Sequence, residues 1–236
     1  MRSPEHPCRS PRRGHAFAAL GIVALVAVGT AAAALPLAPL SSVGRLTPAP
    51  SPGPLGPEGV PVPKAPIFAN VPIVKKGQTI DGVTCDATEK IAFHIHAHLT
   101  LFVSGHAFQI PYGIGIGPPV EGVNTTAGPF ATSGSCFMWL HTHALDGIIH
   151  IEAPKLQRFK LGQFFAIWGV KLSKRQLGSR TGKVTAFYNG KVWTADPADI
   201  PLTSEAQIQL DLGKPLIAPQ HIKFPKGLAA SMTKTK

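Results

Sequence analysis

Histidine is the residue type that invites a chemical reading of this chain. Of its 10 histidines, six fall in two short windows, His94, His96 and His98 in the first and His141, His143 and His150 in the second. A neutral imidazole offers a lone pair that suits zinc, copper, iron or nickel, and three convergent imidazoles leave a coordination position open. Imidazoles held close together also disfavour one another's protonation, which keeps them ready to ligate near neutral pH. The two windows are the candidate ligands, with copper or zinc as the expected ion. Glu152 is a candidate fourth ligand, or an acceptor that fixes a histidine tautomer. His106 and His221 lie outside both windows and are read as incidental.

The elements that must position these side chains are strands. Residues two apart on a strand share a face, so His94, His96 and His98 stack on one side while Phe93, Ile95, Ala97 and Leu99 make the apolar side. In the second window Asp146-Gly147 is a turn signal, and residues 144–147 suit a four-residue connection. A hairpin closing there sets His141 opposite His150, His143 opposite Ile148 and Trp139 opposite Glu152. Directly opposed residues have Cβ atoms about 4.5–5.5 Å apart, a separation from which ring nitrogens can converge on one ion.

Short alternating apolar runs broken by glycine and proline recur through the rest of the chain. They predict a mainly β fold, an antiparallel β-sandwich or barrel with one short helix. Residues 91–103 turn at Ser104-Gly105 into 106–110, with Leu101 facing Phe108. Residues 184–188 turn at Asn189-Gly190 into 191–194, with Phe187 facing Val192. Leu161, Phe164, Phe165 and Trp168 follow helical spacing and are expected in the core. Over 206–212, Ile208 and Leu210 are expected inward, Gln207 and Gln209 outward. Residues 113–134, rich in glycine and proline, read as a long loop and a candidate rim over the site.

Organisation along the chain starts with a targeting signature: Arg2, Arg9, Arg12 and Arg13 precede an uncharged apolar run over 17–35. Residues 1–35 are a signal peptide cleaved near Ala31 to Ala34, or a retained anchor of about 19 residues, enough to span a bilayer. Either fate keeps the arginines inside and delivers the remainder outside the cytoplasm. Residues 36–66 are proline-rich and read as a stiff linker, 67–226 as the β-rich metal-binding domain, and 227–236 as a basic tail. In an oxidising compartment the two remaining cysteines, Cys85 and Cys136, are expected to form a disulfide.

The formal net charge is +11, and Lys155, Arg158, Lys160, Lys171, Lys174, Arg175, Arg180 and Lys183 follow the second histidine window. With an exported address, that charge points to an anionic membrane surface or cell-wall polymer, not to nucleic acid. Oligomeric state is not encoded in any motif. Nucleophile-elbow, P-loop and dinucleotide signatures are absent, so serine-hydrolase and nucleotide-binding functions have no support.

Residues 91–168 resemble a family of exported bacterial proteins carrying H-x-H-x-H-L, C-F-x-W-L-H-T-H, G-I-I-H-I-E and L-G-Q-F-F. That resemblance implies localisation, not mechanism. In outline the histidine arrangement also resembles the sites of cupredoxin-like sandwiches and cupin barrels. It departs from cupins, since Phe102 and Val103 stand where a glutamate is expected, and from blue-copper sites, since Cys136 and Met138 share the strand face opposite His141. Three functions fit: a module that stores, delivers or senses metal; a metal-dependent hydrolase or oxidoreductase; and a structural envelope protein with incidental histidines.

Overall fold

In a computed structural model the described residues are 34–228. The segment 1–35 expected to be a signal peptide or anchor lies outside them, apart from residues 34 and 35, as do residues 229–236. Among the described residues no helix is long and apolar enough to cross a membrane.

Alternation builds a principal sheet of eight strands. Across it run Leu37–Ala38, Lys191–Trp193, Val184–Tyr188, Ala206–Leu212, Phe93–Val103, Ile148–Ala153 and Leu140–His141, while His106–Phe108 folds back on the end of Phe93–Val103. Both expected hairpins form, with Leu101 opposite Phe108 and Phe187 opposite Val192. Ser104 and Gly105 have φ of 48° and 80°, Asn189 and Gly190 49° and 75°. A two-residue turn with both φ positive matches the twist of the strands it joins.

The sheet is neither wholly antiparallel nor closed. Ala206–Leu212 runs parallel to Phe93–Val103, which the long chain between them permits, and the two outermost strands do not meet to complete a barrel. One face of the sheet is apolar: Phe93, Ile95, Ala97, Leu99, Ile149, Ile151, Ile208 and Leu210 join a buried cluster. Helix Leu161–Ile167 packs its stripe of Leu161, Phe164 and Phe165, followed by Trp168, into the same core. The expected Cys85–Cys136 disulfide is present.

The opposite face of the sheet is polar but covered, and its cover corrects three expectations. The proline-rich stretch is no free spacer. Leu37 and Ala38 pair with Trp193 and Val192, Thr47 bridges Ile217, and Val60 is fully buried beside Ile148 and Ile222. Proline excludes a helix or a central strand, but not an edge strand or a strap whose carbonyls still accept hydrogen bonds. Gln207 and Gln209 do not face water either, because the segment following Leu212 lies over them: Gln209 donates to the Ile217 carbonyl at 3.0 Å and Gln207 to that of Ile222 at 2.8 Å. The start of the basic tail forms a turn, Lys226–Leu228. The glycine-rich loop contains a hairpin of its own, Glu121–Thr125 with Gly128–Ser133.

Candidate metal centre

Three neighbouring strands bring the two windows together. His96 is directly opposite His150 and His94 opposite Glu152, while His150 is in turn opposite His141. Since the pleat repeats every two residues, all five side chains emerge on the covered polar face. The expected opposition of His141 and His150 forms, but the pairing ends there and does not extend to His143 and Ile148; in the turn Gly147 has φ 82°, and a Cβ there would strike the Leu99 carbonyl. Beyond the strand end His143 continues towards the site, its ring 4.6 Å from that of His150.

Four of the rings are held by their outer nitrogens. His96 Nδ1 lies 2.8 Å from the Leu228 carbonyl, His141 Nδ1 2.8 Å from that of Met138, and His143 Nδ1 2.6 Å from that of Ala131. A carbonyl only accepts, so each Nδ1 carries the proton and each Nε2 presents a lone pair inward. His150 donates from Nε2 to Glu58 Oε1 at 2.7 Å, leaving Nδ1 to face inward. Such anchoring of the outer nitrogen fixes the ring and its tautomer at metal sites.

Inward nitrogens crowd together. His141 and His143 approach Nε2 to Nε2 at 3.0 Å, His94 and His96 do so at 3.0 Å, and His96 Nε2 is 3.1 Å from His150 Nδ1. Between His141 and His143 two lone pairs face each other, an arrangement that repels until a cation, proton or metal ion, stands between them. Sets of ligand atoms mutually within 4.8 Å comprise His94 with His96 and His150, His141 with His143 and His150, and Glu89 with His141 and Glu152.

Electrostatics divide the rings. Burial, then the neighbouring His150 and His94, lower His96 to about 3. Burial, then His143 and His150, hold His141 well below its ordinary value. Burial also works against charge on His150, but hydrogen bonds to Glu152 and Glu58 outweigh it and raise His150 to about 9. Glu152 resists the upward push of burial and is held well below the usual carboxylate range by hydrogen bonds from His150 and His94. With no ion bound, a proton on His150 occupies ground that metal would take, so loading must release protons.

Not every expected ligand belongs here. His98 shares the strand face, yet its Nε2 donates to the Asp146 carbonyl at 2.8 Å, and burial lowers it to about 4. The turn at Asp146 and Gly147 separates it from the other rings, and it joins none of the three sets. Two carboxylates are additions. Glu58 comes from the proline-rich strap, where composition concealed it. Glu89 lies 3.4 Å from His143 Nε2 and 3.9 Å from His141 Nε2, and no spacing rule ties it to the windows. Phe130, from the hairpin expected as a loop, stacks on His143 with ring centroids 5.1 Å apart.

The donor set fits a transition metal. Imidazole and carboxylate suit zinc, copper(II), nickel or iron, whereas no thiolate is at hand among the described residues: Cys85 and Cys136 are in the disulfide, and the Met138 side chain belongs to the apolar core. Glu152 Oε2 is buried without a hydrogen-bond partner, a cost that a cation would relieve. Glu58 Oε2 and Asp146 Oδ2 are likewise buried without one. Burial, then the charge of Glu58, raises Asp146 to about 8, and a proton shared between the two carboxyls satisfies both. Among the residues of the centre the side chains of His94 and Glu89 are the most exposed, at 22% and 36%. No protein-family model matches the chain, and neither a curated protein nor a solved structure does.

Proposed function

We propose that this is a metal-binding protein of the space outside the cytoplasm, holding copper or zinc in its buried histidine cluster. One observation carries the reading: the outer nitrogens of His141 and His143 are tied to backbone carbonyls, and their inner nitrogens are left facing each other 3.0 Å apart. A merely structural cluster would satisfy those lone pairs with donors. The Cys85–Cys136 disulfide supports an oxidising compartment. Protein purified from its native host should carry stoichiometric copper or zinc on elemental analysis. Glu58→Gln should weaken the ion by about tenfold in chelator competition, since it removes charge behind His150. Protein that holds no ion, and whose melting temperature ignores added zinc and copper, would return the histidines to a structural role.

The solvent edge at Glu89 favours a second reading, a metal-dependent enzyme in which an exposed carboxylate adjoins an exchangeable coordination position. Turnover lost in Glu89→Gln while the ion is retained separates this from storage or delivery.

A further inference from the structure

We infer that the centre holds two ions bridged by Glu152, an arrangement that rests on the metal-binding reading and specifies it. Donor number is the first reason. The three ligand sets together contain five imidazoles and two carboxylates, more than one zinc or copper ion accommodates at its usual four or so donors.

The second reason is placement. The His94 and His96 pair sits on Phe93–Val103, on one side of strand Ile148–Ala153, and the His141 and His143 pair arrives from the other side. Within each pair the inner nitrogens are 3.0 Å apart. His150 and Glu152 stand on the strand between them.

The third reason is Glu152 itself, which is 3% exposed. Its Oε1 is 3.0 Å from His94 Nε2 and 3.4 Å from His150 Nδ1, while Oε2 is buried with no partner. The same carboxylate belongs to the set formed by Glu89 and His141. A carboxylate whose one oxygen lies against His94 and His150 of one ligand set, and which is itself a member of the set with Glu89 and His141, is disposed to bind one ion through each oxygen. The first ion takes His94, His96 and His150; the second takes His141, His143 and Glu89. In two-metal sites the ions stand about 3.5–4 Å apart, close enough to couple.

Full-length protein stripped with chelator and titrated with copper(II) or zinc(II) tests this directly. The expected result is two ions per chain after gel filtration. The copper form should lose electron paramagnetic resonance intensity as the second equivalent enters, because the two spins couple. His94→Ala/His96→Ala and His141→Ala/His143→Ala should each retain one ion with an uncoupled signal. Saturation at one ion in the unaltered protein overturns the bridged pair and leaves the metal-binding reading standing, whereas no ion at all removes both. Two ions that never couple, or a second ion that persists when both pairs are replaced, also overturn it. Stoichiometry and coupling are read on the unaltered chain, so the outcome does not depend on whether the variants fold.

Discussion

The polar face of the principal sheet has two halves, and both are buried. In one half, Gln207, Gln209 and Asp211 lie under the strap after Leu212 with their hydrogen bonds closed. Gln209 accepts from Gln220 N at 3.1 Å and donates to Asp211 and to the Ile217 carbonyl at 3.0 Å each. Asp211 accepts from Ile217 N at 2.6 Å, and Gln207 exchanges bonds with Ile222 in both directions. In the other half, histidines of the same sheet are closed on their outer side and open on their inner side. The glutamine half behaves as extra backbone, stitching a strap to a strand. The histidine half keeps the opposed lone pairs of His141 and His143 and the orphaned Oε2 of Glu152, which folding alone gives no reason to retain.

The sharpest way to break that contrast is His150→Ala in metal-free protein. Glu58 and Glu152 are both buried against His150, and removing it leaves their charges uncompensated, a loss of about 3–5 kcal/mol by urea unfolding. A loss below about 1 kcal/mol would show that the carboxylates do not depend on that ring.

Next comes a pH effect in the glutamine half. Burial pushes the Asp211 carboxyl from an ordinary 3.8 up to about 6, so the folded state holds this proton more tightly than the unfolded state. Its contribution to stability is therefore present below about pH 4 and disappears as pH rises through 6. The shift corresponds to roughly 3 kcal/mol between those limits. Asp211→Asn should remove that slope, seen as the difference between the two unfolding curves from pH 4 to pH 7. A slope that survives the substitution belongs to another group.

Gln209→Ala should cost about 1–3 kcal/mol by orphaning the Ile217 carbonyl and the Gln220 amide, with metal content unchanged. Loss of metal in this variant would mean that the two halves are coupled. Smallest is His98→Gln, which borders both halves: it should leave ion stoichiometry intact and shift stability by about 1 kcal/mol. Loss of an ion would return His98 to the ligand set.

Local pairings were legible in the sequence because turn chemistry and alternation encode them over a few residues. Ser104-Gly105, Asn189-Gly190 and the opposition of His141 to His150 are examples, as is the helical stripe ending at Trp168. Pairings between distant segments were not. Nothing in residues 93–98 specifies 148–153 as partner or 206–212 as parallel neighbour, since any apolar alternating strand satisfies the same pattern. Alternation also identified the polar faces of Gln207 and His98 without revealing what covers them. Glu58 escaped because proline content describes how a chain may bend, not where it lies. The disulfide was accessible to counting, as setting Cys8 aside with the targeting signature leaves two of the three cysteines and one intramolecular pairing.

The atoms that anchor the two directly opposed rings of His96 and His150 come from far-off places in the chain. Leu228 lies 132 residues from His96, and Glu58 lies 92 residues from His150. A chain arrested before its last turn loses the anchor of His96, and one clipped between Glu58 and the first histidine window loses that of His150. Maturation of the centre is a final step, and a captured ion would mark a polypeptide that has arrived whole.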